Sequence, residues 1–80
     1  MKSAFVLTQV GGLKDVAEVK ALHGALHAIA GVKTVHFVAG PTDIIVFAEA
    51  DDDDGLAAVI GQMRATKGVA STDTRIVINM

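Results

Sequence analysis

The sequence has no cysteine, no tryptophan and no tyrosine, and a single proline among its 80 residues. Without cysteine there is no disulfide framework, no thiolate nucleophile and no cysteine-ligated zinc. Three phenylalanines supply all of the carbocyclic aromatic rings, too few for the stacking platforms of single-strand nucleic-acid binders. Charge is sparse as well. Seven basic residues against nine acidic ones leave a net charge of −2, and the lysines and arginines are scattered. A duplex-binding surface needs concentrated positive charge to displace counterions, so direct nucleic-acid binding is not expected. No apolar run is long enough for a membrane helix, and the apolar stretch after Met1-Lys2 stops at Thr8-Gln9, too short for a secretory leader. The expected address is the cytoplasm.

What is present is apolar. Hydrophobic residues make up 51% of the chain, so it is globular, and its length makes residues 1–80 one domain near the lower limit for a self-sufficient core. The organising stretch is Val38-Ala39-Gly40-Pro41-Thr42-Asp43-Ile44-Ile45-Val46-Phe47, which reads as two strands joined by one tight turn. Proline suits the second position of a type I turn, which places Gly40, Pro41, Thr42 and Asp43 at the turn positions. The Asp43 carboxylate then lies near the loop's own N–H groups. Ile44 to Ala48 is apolar at every position, the pattern of a strand buried on both faces. One helical layer covers one face. A second copy of the chain is the expected cover for the other.

Taken in order, residues 2–9 read as a first strand, broken by Gly11-Gly12. From Leu13 to Ala30 the spacing turns helical, with Val19, Leu22, Leu26 and Ile29 on one side and Gly31 as the terminator. Val32 to Ala39 is a second strand, with Val35 and Phe37 on one face and Thr34, His36 and Val38 on the other. A third strand runs from about Asp43 to Ala50. Asp51-Asp52-Asp53-Asp54 opens a second helix, one aspartate as N-cap and the rest at the positive end of the helix dipole. Its stripe is Leu56, Val59, Ile60 and Met63, with Arg64 and Lys67 near its end and Gly68 closing it. Val69 to Asn79 is the fourth strand. The halves echo each other in Ala30-Gly31-Val32 and Lys67-Gly68-Val69. Strand–helix–strand repeated twice predicts an α+β, ferredoxin-like βαββαβ sandwich, a four-stranded antiparallel sheet with both helices on one face. The bare face is expected to carry Val6, Val38 and one set from the third strand, and an apolar face of that size marks an interaction surface.

Few constellations carry chemistry. His23 and His27 share one side of the first helix, but the position after His23 is Gly24, not the glutamate of a zinc protease. Two ligands do not make a zinc site, so the pair reads as edge or interface residues and no metal is assigned. The aspartate run fails as an EF-hand: with Gly55 as the loop glycine, the first and last ligand positions fall on Ala50 and Gly61. Gly11-Gly12 lacks the spacing of a phosphate loop. No catalytic residue and no cofactor is assigned. Thr72 and Thr74 alternate on the fourth strand and share a face. With Asp43 and the N–H groups around Gly40 they have the chemistry to hold both ends of a zwitterion. Threonines are also ordinary strand residues and Asp43 an ordinary turn brace; spacing alone favours that plainer account.

Gly40-Pro41-Thr42-Asp43 followed by an apolar strand resembles the G-x-x-D hairpin of the Lrp/AsnC effector-binding (RAM) domain. Gly68-Val69-Ala70-Ser71-Thr72-Asp73-Thr74 resembles that family's G-V-x-x-T-x-T in the last strand. The resemblance covers essentially the whole chain. It implies a dimeric α/β-barrel arrangement, pairing through sheets, and rings of dimers. Small effectors, usually amino acids, would bind between dimers near the hairpin loop and the last strand, which carries over to Gly40, Asp43, Thr72 and Thr74. Full-length members carry a DNA-binding helix-turn-helix; this chain begins at the first strand and so resembles a stand-alone RAM protein. Thr42 stands where tyrosine is frequent, Ser71 where arginine is, and the first helix reads about a turn longer than the family pattern. The expectation is a non-enzymatic, oligomeric amino-acid sensor that co-assembles with full-length Lrp/AsnC regulators or competes with them for effector. The alternatives are a ligand-free protein–protein interaction module, or a small dimeric ferredoxin-like enzyme with His36 or a helix histidine as base.

Overall fold

In the computed structural model, which describes residues 1–80, six elements follow one another: β1 (Lys2–Val10), α1 (Val16–His27), β2 (Val32–Phe37), β3 (Ile44–Ala50), α2 (Asp53–Arg64) and β4 (Val69–Ile76). The strands form one sheet in the order β2-β3-β1-β4, every neighbouring pair antiparallel. Both helices pack on the same face, over one shared core. This is the ferredoxin-like βαββαβ sandwich.

Local chemistry sets where the helices begin. Asp15 accepts the Glu18 N–H at 2.9 Å, while the Glu18 carboxylate reaches back to the Lys14 N–H, a reciprocal cap. At α2 the N-cap is Asp52, which accepts the Gly55 N–H at 2.7 Å, and Asp53 and Asp54 occupy the first turn. Helix α1 is 12 residues long, the same as α2. The helix expected over Leu13–Ala30 is thus too long at both ends. Asp15 claims the start, and Ala28 to Gly31 turns the chain toward β2.

The core lies between helices and sheet. Leu22 and Leu26 come from α1, Leu56, Val59 and Met63 from α2, and Ala4, Val6, Ile44, Val46 and Ala48 from the two central strands. Fully burying a side chain of this size is worth about 1.5–3 kcal/mol, against about 1 kcal/mol for a helix cap. Packing therefore outweighs capping in holding the helices to the sheet. Val6 is fully buried here, so its expected place on the bare face is wrong. Val38 lies beyond the end of β2, which stops at Phe37. The bare face instead carries Phe5, Leu7, Ile45 and Phe47, the residues that alternate with the buried set. The Phe5 and Phe47 rings lie 5.0 Å apart there.

Two irregularities shape the edges. A register shift between Val32 and Thr34 lets Val32 and Val35 both point inward, so simple alternation fails at the start of β2. A second shift, at Gln9/Val10 opposite Val69 and Ser71, leaves Ala70 as the extra residue on β4. No helix is long and apolar enough to cross a membrane.

Candidate functional site

The β2–β3 connection is wider than the expected four-residue turn. Val38 donates its N–H to the Asp43 carbonyl at 2.9 Å, closing a loop that spans both residues and everything between. The loop is also tied to the end of β1. The Asp43 N–H donates to the Thr8 carbonyl at 3.2 Å, and Asp43 Oδ2 accepts the Val10 N–H at 2.9 Å. The Gln9 side-chain amide donates to the Pro41 carbonyl. The carboxylate therefore braces a neighbouring strand rather than the loop's own N–H groups, which corrects the expected local contact. Its Oδ1 makes no hydrogen bond within the chain. Gly40 has φ +133° and no heavy atom within 4 Å of where a Cβ would sit, so the space above it is open.

Strand register places the threonines. Thr72 pairs with Thr8 and Thr74 with Val6, and since Thr8 and Val6 are fully buried under the helices, both threonines face the helical layer. Asp43 precedes inward-facing Ile44 and so starts from the opposite phase of the pleat. Neighbouring strands lie about 4.8 Å apart, so β1 holds β3 and β4 about 10 Å from each other. Within one protomer the structure brings Gly40 and Asp43 together and sets Thr72 and Thr74 on one face of β4, but does not join the two pairs in one cavity.

Each threonine lines a hollow against α2. Thr72 shares a hollow of about 280 Å³ with Arg64, Val69 and Ser71. Thr74 lies over Leu56 and Ile60 in one of about 270 Å³. In the sequence Arg64 reads only as a cation at the end of a helix dipole; in the structure it lines the same hollow as Thr72. Thr8 carries no signal in the sequence either. It is the one fully buried polar side chain, and its hydroxyl donates to the Val6 carbonyl at 3.3 Å. Neither role is legible without the register of β1 against β3 and β4.

On the open face of β4, Arg75 donates to both carboxylate oxygens of Asp73, at 3.1 and 2.9 Å. These hydrogen bonds hold the Asp73 carboxyl below its ordinary value of 3.8. His23 and His27 are exposed, their rings 4.5 Å apart and edge-on, with the Phe37 ring 5.8 Å from His23. No group of three or more histidines and carboxylates converges to hold a metal.

A ferredoxin-like module whose open sheet face has an apolar centre flanked by Asp73 and Arg75, with a hairpin loop strapped to its central strand, defines the class. Within it, the model of the Lrp/AsnC ligand binding domain matches residues 3–80, and the chain belongs to that family. It is 30% identical to a Thermus thermophilus protein, TTHA0845, covering 100% of this chain and 96% of that one at a TM-score of 0.84. The feast or famine regulatory protein of M. tuberculosis complexed with L-methionine shares the fold, with a TM-score of 0.78 at 22% identity over 100% of this chain and 52% of that one. Among curated proteins, the chain is 45% identical over 53 residues to homocitrate synthase of Sulfurisphaera tokodaii. That match takes in 66% of this chain but only 12% of the synthase.

Proposed function

We propose that the chain is a cytoplasmic, non-enzymatic, oligomeric sensor of amino acids that acts in regulation. The observation that carries this reading is the family match across residues 3–80. Two chains pair through the open sheet face, burying Phe5, Leu7, Ile45 and Phe47, and the dimers assemble further. The effector binds between dimers, where the hairpin loop of one copy meets the last strand of another. In that arrangement the free oxygen of Asp43 takes the ammonium group beside Gly40, and Thr72 and Thr74, with Arg64, take the carboxylate. The separation of the two residue pairs within one protomer supports a site that needs two copies. The L-methionine bound by the M. tuberculosis relative supports an amino acid as ligand. Full-length Lrp/AsnC regulators are the proposed partners, and no DNA-binding segment of its own is invoked.

A second reading is favoured by a specific observation. The 45% identity over 53 residues to a homocitrate synthase supports an enzyme of that kind as the partner. The sensor then acts on an enzyme, not on a transcription regulator. Both readings share the effector site and differ in the partner.

Calorimetric titration with a panel of L-amino acids tests the site. A hydrogen bond to a charged group is worth about 1.5–3 kcal/mol, so Asp43→Ala is expected to weaken effector binding by about 10- to 100-fold. Undiminished affinity in that variant would remove Asp43 from the site.

A further inference from the structure

The two helices stand apart on the sheet: α1 packs mainly on β2, and α2 on β3 and β4. Between α1 and the α2–β4 turn, at Thr66 and Lys67, lies a cleft of about 180 Å³. Its walls are Leu13, Ala21, Leu22 and Ala25, and its rim holds one carboxylate and one ammonium, Glu18 and Lys67. We infer that this cleft is a second amino-acid site, in which Glu18 takes the α-ammonium, Lys67 the α-carboxylate, and the apolar walls an unbranched apolar side chain. It lies apart from the hairpin loop and β4 threonines, and rests on the sensor reading only for the class of molecule.

Three features support it. The volume lies below the roughly 300 Å³ at which drug-sized clefts begin, which suits a molecule of amino-acid size. The rim charges are of opposite sign and sit over an apolar floor, the complement of a zwitterion with an apolar tail. They are also available. Lys67 Nζ stands 3.7 Å from Glu18 Oε1, a long contact on a largely exposed lysine. Such a pair contributes little by itself, so inserting a ligand's own charges between the two forfeits little. Glu18, by contrast, is held by the Lys14 N–H and is only 29% exposed, so its carboxylate is already oriented. Alanine at 21 and 25, rather than a larger apolar residue, leaves the space open.

The test is an amide-resolved NMR titration with L-methionine, on the unaltered protein and on Ala25→Leu, Lys67→Met and Asp43→Ala. Ala25 is exposed on a helix, and leucine is a good helix former, so Ala25→Leu fills the cleft without disturbing the fold. The expected result is a saturable shift at Ala21, Leu22, Ala25 and Lys67 that Ala25→Leu abolishes and Asp43→Ala leaves intact. N-acetyl-methionine amide, which lacks both charges and so loses the pairing to the oriented, part-buried Glu18, should bind at least about tenfold more weakly, whereas Lys67→Met, which removes only an exposed partner, should weaken binding by up to about fivefold. Shifts confined to the hairpin loop and β4, or shifts here that vanish in Asp43→Ala, would overturn the second site and leave the hairpin reading standing. Cleft shifts with no response at Asp43 or Thr72 would do the reverse.

Discussion

Gly31→Ala should destabilise the protein by about 3 kcal/mol, combining the cost of a left-handed alanine with that of overpacking. Gly31 has φ +98°, and a Cβ there would lie 2.6 Å from Val59 Cγ2 and 2.8 Å from the Glu49 carbonyl oxygen. Neither neighbour can retreat cheaply. Val59 belongs to the buried core, and Glu49 donates its N–H to the Gly31 carbonyl at 2.8 Å, tying the α1–β2 turn to β3. The equivalent glycine of the second half, Gly68, supplies the control. Its φ is +100°, but a Cβ there would meet only leucine side chains, Leu13 Cδ2 at 2.9 Å and Leu22 Cδ2 at 3.4 Å. A leucine methyl can rotate away, so Gly68→Ala should cost only the conformational part, about 1–2 kcal/mol. Thermal and urea melts of both variants read the difference. For a domain of this size 1 kcal/mol moves the melting temperature by about 4–8 °C, so Gly31→Ala should melt roughly 12 °C or more below the parent. Equal losses in the two variants would mean that the packing at Val59 and Glu49 is not what limits this turn.

Phe47→Asp should convert the proposed sheet-to-sheet dimer into a monomer that keeps its fold. Phe47 lies against Phe5, its partner across β1 and β3, with the two rings tilted, and Phe5 is 46% exposed in the single chain. Large apolar rings on an open sheet face are what an interface of this kind would bury. A buried phenylalanine contributes about 1.5–3 kcal/mol, and two-fold symmetry counts each residue twice, so the change should weaken association by about 100- to 10,000-fold. The added carboxylates also sit near one another across the axis. Sedimentation equilibrium reads the mass, and circular dichroism checks the fold. A variant that keeps the parent's mass would place the interface on some other surface.

The parts of the fold that are local are legible from residues. The apolar stripe of α2 and its aspartate cap are set by neighbours three and four positions away, and the structure has both where the spacing puts them. Asp15 followed three residues on by Glu18 is a capping signature as well, and it is what shortens α1 at its start. The phase of β1 is not legible. Ala4, Phe5, Val6 and Leu7 are all apolar, so a period of two carries no information about which pair faces the helices. Packing decides it: small Ala4 and Val6 lie under the helices, and the larger Phe5 and Leu7 face outward. That choice leaves the heavier apolar load on the open face, as a covered face would require. For the site, the individual side chains are visible in the sequence, but their grouping is not. Asp43 looks like a turn brace until the register shows it gripping Val10, and Arg64 looks like a helix-end cation until β4 places Thr72 beside it.

The most direct test of the sensor account is light scattering of the purified protein with and without each amino acid, paired with thermal melts. A ligand that binds only the native state must raise the apparent stability, by about 2.7 kcal/mol at one hundred times its dissociation constant. The account predicts an assembly larger than a dimer and a raised melting temperature with one or a few amino acids. A plain dimer whose mass and melting temperature ignore the whole panel would contradict it, and would leave the chain as a module that binds other proteins without an effector.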